Sequence, residues 1–394
     1  MAARRTRKIT LPEVRATARP AADVVIEEIT TAAGRDAFIR FQLDHYRGDE
    51  LFVPPIAAER RDFLDPKVNP FFREATVALF VARRRGTIVG RIAAVVDSRS
   101  NRFHQSADGF FGLFEAQNDP GIAAALFQAA STWLRARAMK RLVGPINLAF
   151  HHEAGLLVQG FETAPAMMMT YNPPTYPALI EACGFSKFKD LYSYELSASQ
   201  GMPQQVVRLA DRVRAQGQVR VRRLNTRDPE NDIRRIKAIY ESMLKPGFGF
   251  APISDAEFEQ AIQRLRPVVL LRPEMSLIAE IGDEAVAFGI TLPDTNLAVK
   301  AANGFLFPLG IAKMLWAARS IDRLRVLLFG IKDGYRRRGI DALLAHETYK
   351  EAVRLGYSGG QLGWVMEDDR LVNRMIEATG ARRSHVFRLY ELAL

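Results

Sequence analysis

A basic, glycine-containing segment in the second half of the chain carries the residue types that bind phosphate. It reads Tyr335-Arg336-Arg337-Arg338-Gly339-Ile340 and opens a stretch with helical periodicity. The N-terminus of a helix attracts anions through its backbone N–H groups and its dipole. Arginine side chains add charge-assisted hydrogen bonds to the same anion. The segment therefore predicts a site for a phosphate-bearing ligand, although the carboxylate of Asp341 lies close behind it.

A second group of chemically competent residues lies in the first half of the chain. Its candidate catalytic residues are Asn147, His152, Glu153 and Tyr171, with His151 and Asn172 nearby. A histidine can act as a general base, a neighbouring carboxylate can orient it, and a tyrosine can donate a proton. Adjacent histidines in an extended segment point to opposite faces, so we expect only one of them to function. No third spaced ligand accompanies the pair, so we expect no metal. His104 and Glu115 are lesser candidates.

An internal repeat indicates how these groups are positioned. The segment from Ile180 to Leu196 recurs from Ile376 to Leu392, an offset of 196 in a chain of 394 residues. Seven of its seventeen positions are identical. A period of half the chain implies two copies of one domain. Between the helix-opening glycine and the repeat, the first copy is longer by 22 residues, and that extra length holds the candidate catalytic group.

Hydrophobic periodicity predicts the same order of elements in both halves, β-α-(α)-β-β-β-α-β-α-β. We expect residues 1–21 to form a basic tail, 22–197 the first domain, 198–218 a helical connector and 219–394 the second domain. Each domain is predicted to be an α+β unit with a mixed, mostly antiparallel sheet flanked by helices. Leu324–Ile331 is almost wholly apolar and is predicted to be a buried strand.

Composition indicates a folded, cytoplasmic protein with acidic partners. The net charge is +11 and the isoelectric point about 9.9, which favours polyphosphate or anionic lipid. Without interleaved aromatics or a recognisable motif, we expect no nucleic acid partner. The single cysteine excludes a disulfide framework, and no secretory signal is apparent. Six basic residues in the first twenty could tether the chain peripherally to an anionic membrane.

The element order and the arginine loop together resemble the GNAT superfamily of acyl-CoA N-acyltransferases. Longer motifs in the first half resemble a group of tandem GNAT-like proteins that includes the bacterial ceramide synthases. They are Val89-Gly90-Arg91-Ile92-Ala93-Ala94, Gly109-Phe110-Phe111-Gly112-Leu113-Phe114-Glu115, Gly144-Pro145-Ile146-Asn147, Gly155-Leu156-Leu157-Val158-Gln159-Gly160-Phe161 and Tyr171-Asn172-Pro173-Pro174. The resemblance covers nearly all of residues 25–394.

The resemblance implies a donor site and a reaction, and the chain departs from the family pattern at one position. Acyl-CoA would lie on the second copy. Its pantetheine would follow Phe329-Gly330-Ile331, its pyrophosphate would bind the arginine loop, and Asn373 would lie beside the bound acyl-CoA. The family often places a tyrosine proton donor seven residues after this asparagine, where this chain has Gly380. The implied reaction is amide formation between a long-chain acyl-CoA and an amphiphilic amine, a sphingoid base such as 3-ketosphinganine.

Two other functions remain open at this point. Tandem GNAT folds also transfer acyl or aminoacyl groups to other small amines or to peptidoglycan precursors. The missing tyrosine would also suit a non-catalytic CoA- or lipid-binding protein. A further apolar stretch, Asn296–Ala318, is too interrupted to span a bilayer that requires about 20 apolar residues. It could cover a core, line an acyl tunnel or lie in a membrane interface.

Overall fold

Residues 17–394 are described by the computed structural model, and the predicted basic tail lies mostly outside them. The strands are β1 Val24–Glu28, β2 Ala75–Arg84, β3 Thr87–Asp97, β4 Asp108–Ala116, β5 Arg141–Gly144, β6 Ile146–Asn147, β7 Glu153–Ala154, β8 Leu156–Gln159, β9 Ser186–Ser197, β10 Arg220–Arg223, β11 Ser276–Ile281, β12 Glu284–Pro293, β13 Arg323–Ile331, β14 Gly359–Met366 and β15 Arg382–Ala393. The α-helices are α1 Ala32–His45, α2 Ala57–Leu64, α3 Ser98–His104, α4 Pro120–Arg135, α5 Tyr176–Ala182, α6 Gln204–Ala215, α7 Pro229–Met243, α8 Asp255–Leu271, α9 Asn296–Ala302, α10 Gly310–Ala318, α11 Ile340–Arg354 and α12 Arg370–Ala378.

The predicted α+β class and element order are confirmed. Local signals explain several boundaries: Asp119 caps α4 with Pro120 in its first turn, and Ser254 and Glu257 form a capping box on α8. The sequence analysis did not predict α3, α9 and α10 or the short strands β6, β7 and β8. α3 begins after Asp97, whose side chain accepts a hydrogen bond from the backbone of Ser100.

One continuous sheet runs through both copies of the repeat. Its strand order is β1-β2-β3-β4-β5-β15-β9-β14-β13-β12-β11-β10, with β8 paired to β15 beside this path. Within this sheet only β4 with β5 and β13 with β14 are parallel, one pair in each copy. The other described pairs are antiparallel, as predicted.

The repeated segments exchange places at the centre of this sheet. β9 ends the first copy but pairs with β14 of the second, whereas β15 ends the second copy but pairs with β5 of the first. The two exchanged strands also pair with each other along most of their length. Each copy therefore completes its sheet with the last strand of the other.

Identical residues of the repeat make reciprocal contacts across this exchange. The hydroxyl of Tyr194 lies 3.4 Å from a carboxylate oxygen of Glu377, and Tyr390 donates to Glu181 at 3.1 Å. Tyr194 and Tyr390 are equivalent positions, as are Glu181 and Glu377. The repeat thus preserves residues that hold one copy against the other.

Candidate active site

The parallel strands of the second copy separate part of the way along their length. β13 and β14 pair only from Arg323–Val326 against Gly359–Leu362. Beyond that point β13 stays bonded to β12 and β14 to β9, so an open wedge forms between them. A bulge at Leu327 marks the separation, because the register with β12 shifts between Leu328 and Val326.

This wedge corrects the prediction that β13 is a buried strand. Its residues from Val326 to Phe329 are only partly buried, although they are apolar. β14 no longer covers them on one side. The backbone of Phe329, Gly330 and Ile331 therefore follows the edge of the wedge, where the resemblance implied that pantetheine binds.

The arginine loop follows β13 and leads into α11 at the same end of the wedge. Gly334, Arg337 and Gly339 all have left-handed backbone conformations, with φ of 88°, 62° and 73°. α11 has no side-chain cap, and within residues 17–394 we find no partner for the backbone N–H groups of its first three residues. A concave run of backbone with free N–H groups binds anions.

The arginine side chains around this loop are available to a ligand to different degrees. Arg336 forms an ion pair with Asp333 at 3.2 Å, and Arg338 stacks on Tyr335 with its guanidinium carbon 4.9 Å from the ring centre. Arg337 and Arg338 are exposed. Gly339 packs against α6, since an added Cβ would lie 2.9 Å from Val213. The loop thus combines positive charge with an open helix terminus.

The corresponding place in the first copy is closed to anions. Asp119 accepts a hydrogen bond from the backbone of Gly121 at 2.7 Å and so occupies the N-terminus of α4 with a carboxylate. A hydrogen bond from Arg84 lowers the pKa of Asp119 below its usual value. The space in the first copy that corresponds to the wedge is filled. The backbone of Ile146 lies so close to Gly112 of β4 that a side chain on Gly112 would collide with the carbonyl of Ile146.

The extra length of the first copy includes a turn, residues 147–153, that carries Asn147, His152 and Glu153. We call it the inserted turn. Asn147 accepts a hydrogen bond from the backbone of Leu113 and donates one to Glu153, both at 2.7 Å. The other carboxylate oxygen of Glu153 bonds to Arg60 of α2. Burial raises the pKa of Glu153, but the charge and hydrogen bond of Arg60 outweigh it, so the pKa lies below its usual value. Glu153 is therefore an ionised carboxylate, and both of its oxygens accept hydrogen bonds.

His151 and His152 lie side by side on this turn. Their ring centres are 4.3 Å apart, so they do not point to opposite faces as an extended segment would require. The backbone turns here, and Leu148 adopts φ of 70°. Burial lowers the pKa of His151 to about 4 and that of His152 well below its usual value. Both rings are therefore neutral at pH 7.

His152 is enclosed by aromatic rings and has an unused ring nitrogen. Its ring centre lies 5.1 Å from that of Phe63 and 5.9 Å from that of Phe71. Its Nδ1 is buried and has no hydrogen-bond partner among the described residues. Glu153, expected to orient it, bonds instead to Arg60 and Asn147.

An aromatic cluster connects this turn to the wedge of the second copy. Phe150, two residues before His152, packs with its ring centre 4.7 Å from that of Trp364. Trp364 belongs to β14 just beyond its last residue paired with β13. Phe248 and Phe250, from the loop between α7 and α8, pack on the same phenylalanine at 5.5 and 5.1 Å. The inserted turn therefore lies against one wall of the wedge.

Two predicted site residues have other contacts in the structure. Tyr171 donates its hydroxyl to Asp49 at 2.7 Å and makes no hydrogen bond to Asn147, His152 or Glu153. Asn373 accepts from Tyr194 at 2.7 Å and donates to the carbonyl of Met366 at 2.8 Å. Its side chain thus fixes α12 to the end of β14.

The sequence analysis missed most of a buried polar network in the first copy. Glu115 accepts hydrogen bonds from Tyr46, Tyr176 and Gln42, and Arg91 lies 3.7 Å from it. Burial raises the pKa of Glu115 despite the charge of Arg91. The available signal was an arginine within the apolar run Val89–Val96, where a buried charge requires a partner. The ion pair between Arg60 and Glu153 had no comparable signal in the sequence.

Comparison with known proteins agrees with this architecture. No family model matches the chain. It is 32% identical over 380 residues to the bacterial ceramide synthase of Caulobacter vibrioides, covering 95% of this chain and 98% of that protein. It is 33% identical over 362 residues to protein YghO of Escherichia coli, covering 90% and 92%.

Two solved structures share the fold over 94% or more of the chain. A GCN5-related N-acetyltransferase from Sphaerobacter thermophilus has a TM-score of 0.51 at 14% identity, covering 95% of this chain and 96% of that one. A tandem GNAT protein of the clavulanic acid biosynthesis pathway has a TM-score of 0.54 at 12% identity, covering 94% and 98%. The chain therefore belongs to the same family as the bacterial ceramide synthase and is an acyl-CoA-dependent N-acyltransferase with a tandem GNAT fold.

Proposed function

We propose that the protein transfers a long-chain acyl group from acyl-CoA to the amine of a sphingoid base such as 3-ketosphinganine, forming a ceramide-type amide. The relationship to the bacterial ceramide synthase supports the class of acceptor. The contact between Phe150 and Trp364 carries the proposal. It brings the inserted turn of one copy to the wedge of the other, so that donor and acceptor can meet there.

Acyl-CoA binds to the second copy in this proposal. The pyrophosphate lies on the loop formed by Arg336, Arg337, Arg338, Gly339 and Ile340, which offers free N–H groups and exposed charge. Pantetheine extends along Phe329, Gly330 and Ile331, where β13 has lost its partner. Asn373 acts indirectly, since it holds the wall formed by β14.

The acceptor amine approaches from the side of the inserted turn. Its nitrogen attacks the thioester carbonyl carbon, the carbon–sulfur bond breaks, and CoA leaves as the thiolate. His152 takes the proton that the amine loses and passes one to the thiolate. Its unpartnered ring nitrogen and neutral state suit this role. Backbone N–H groups beside the bulge at Leu327 stabilise the oxyanion.

The other residues of the turn position this base and shape the pocket. Asn147 and Glu153 tie the turn to β4 and to Arg60 of α2. Glu153 is a poor candidate for the base because both of its carboxylate oxygens already accept hydrogen bonds, from Arg60 and from Asn147. Tyr171 forms part of the apolar wall, packed against Tyr46 and Phe52.

The test is mass spectrometry of the products formed from mixed acyl-CoAs and 3-ketosphinganine. We expect an N-acylated product, and we expect His152→Asn to lower kcat by about a hundredfold or more with little change in the KM for acyl-CoA. His346→Asn is the matched control, because His346 also has an unpartnered buried Nδ1 but lies on α11.

Two results would contradict the proposal in different ways. If CoA binds but no amine is acylated, the protein is a binding module. If another amine is acylated and sphingoid bases are not, the fold and donor site stand while the acceptor assignment fails.

A further inference from the structure

The segment between β12 and β13 presents large apolar side chains to solvent. Phe307 is 79% exposed, Trp316 74%, Leu315 66% and Leu309 62%. Phe305 and Ile311 of the same segment are also exposed. We call these six residues the α9–α10 surface. Large apolar side chains exposed together in one short segment are typical of an interaction site.

The segment is held in place by its small residues, which leaves the large ones free. Ala298, Ala302, Gly310 and Ala317 are buried. The carbonyl of Gly304 accepts a hydrogen bond from the backbone of Ala57 at 2.9 Å, so the segment is anchored to the first copy. Lys300 donates to the carbonyl of Glu50. These contacts argue against a segment that covers a core, because a core cover buries its large side chains and exposes its small ones.

The charged side chains of the segment that carries the α9–α10 surface are all positive. No Asp or Glu occurs from Asn296 to Arg319. Lys313 and Arg319 are exposed, and neither forms an ion pair within the described part of the chain. The whole chain has a net charge of +11. Phe, Leu and Trp flanked by free Lys and Arg are typical of a segment that lies in the interface of an anionic bilayer.

We propose that the α9–α10 surface docks the protein on an anionic membrane, with Phe307, Leu315 and Trp316 inserted at the headgroup level. The segment lies on the bilayer and does not cross it, because α9 and α10 have only seven and nine residues. In residues 17–394 we find no helix that is both long and apolar enough to span a membrane.

The position of this surface suits the proposed reaction, and this step alone rests on the proposed function. The segment ends where β13 begins, at Arg323, whereas the arginine loop follows the other end of β13 after Ile331. Nine residues of strand separate the two ends by about 30 Å. An amphiphilic acceptor can therefore enter from the bilayer while the nucleotide part of acyl-CoA stays in water.

The test measures binding of the full chain to vesicles of phosphatidylcholine, with and without phosphatidylglycerol. We expect cosedimentation with the anionic vesicles, and a loss of about tenfold or more in the partition coefficient for Phe307→Ser/Trp316→Ser. Lys313→Ala/Arg319→Ala should weaken binding to the anionic vesicles only. Val25→Ser is the matched control, because Val25 is 67% exposed on the edge strand β1.

The fluorescence of Trp316 gives a second readout that does not depend on disruptive variants. Emission should shift to shorter wavelength with anionic vesicles, and Trp316→Phe should abolish most of the shift. All variants keep residues 1–16, so a change in binding belongs to the α9–α10 surface. The altered side chains are exposed, so thermal unfolding should be unchanged.

Three outcomes would overturn the proposal. They are no vesicle binding by the unaltered chain, equal binding by Phe307→Ser/Trp316→Ser, and a concentration-dependent dimer lost in that variant without vesicle binding. The last outcome would show that a second copy covers the surface. None of them bears on acyl transfer, which is measured separately with detergent-dispersed acceptor.

Discussion

Glu153 is the residue whose environment most limits what the inserted turn can do. Its carboxylate is surrounded by Arg60 and Asn147, and about a fifth of its side chain is exposed. An ionised carboxylate held in this way contributes to stability and is a poor proton acceptor. This is why we assign the base to His152 and a positioning role to Glu153.

A pH-dependent stability follows from the lowered pKa of Glu153. Because its pKa is lower in the folded state than its usual value of about 4.3, its contribution is complete above that value and is lost as the pH falls through the folded-state pKa. We expect Glu153→Gln to reduce the free energy of unfolding by about 2 kcal/mol at pH 7. The deficit should shrink toward pH 3.

Urea unfolding of the two proteins across this pH range measures the difference. The matched control is Glu162→Gln, which alters an exposed carboxylate that forms no ion pair within residues 17–394. A deficit of equal size at pH 3 and pH 7 would contradict the assigned ion pair.

Two helix N-termini distinguish the two copies at the scale of elements. α11 begins after an uncapped glycine with arginines beside it, whereas α4 begins with the carboxylate of Asp119. The partial positive charge at the N-terminus of α4 is already neutralised by the carboxylate of Asp119. The partial positive charge at the N-terminus of α11 has no such side-chain partner and can act on a ligand. The strands distinguish the two copies in the same way. β13 separates from β14, whereas in the first copy the backbone of Ile146 fills the corresponding space beside Gly112 of β4.

The arginine loop should therefore account for most of the affinity for CoA. We expect Arg337→Ala/Arg338→Ala to raise the dissociation constant of CoA by about tenfold or more, because charge-assisted hydrogen bonds are lost. Isothermal titration calorimetry measures this, and the difference should diminish at high salt. Arg354→Ala, at the other end of α11, should bind CoA normally. Unchanged affinity in the double variant would place the pyrophosphate elsewhere.

The exchange of β9 and β15 joins the two copies at the scale of the whole molecule. Residues of β14 and β15, including Trp364, Met366 and Phe387, belong to one apolar core with residues of the first copy. We propose that residues 22–197 and 219–394 descend from one unit and now unfold together, because neither copy completes its sheet alone.

Cooperative unfolding tests this integration. Tyr194→Phe and Tyr390→Phe each remove a hydroxyl that bonds across the exchange, and we expect each to cost about 1 kcal/mol. Single-tryptophan proteins retaining Trp133 of α4 or Trp364 of β14 should show the same transition, shifted equally by either substitution. Tyr171→Phe, which affects a bond within the first copy, should cost less. Separate transitions for the two probes would contradict a shared unit.

The sequence by itself determined the order of elements in the two copies, and it predicted a phosphate-binding loop in the second copy and none in the first. These features are encoded locally, by the period of apolar residues and by residues at helix starts. Even the reciprocal residues Glu181 and Tyr390 were visible as identical positions of the repeat, although their partners were not.

Only the tertiary structure decided which strands were exchanged, that Arg60 holds Glu153, and that the apolar segment faces solvent. Strand exchange depends on pairing between segments almost two hundred residues apart, and Arg60 of α2 and Glu153 of β7 are 93 residues apart in the chain. Whether an apolar residue is buried depends on what packs over it. None of these contacts leaves a periodic signal in the residues that make them.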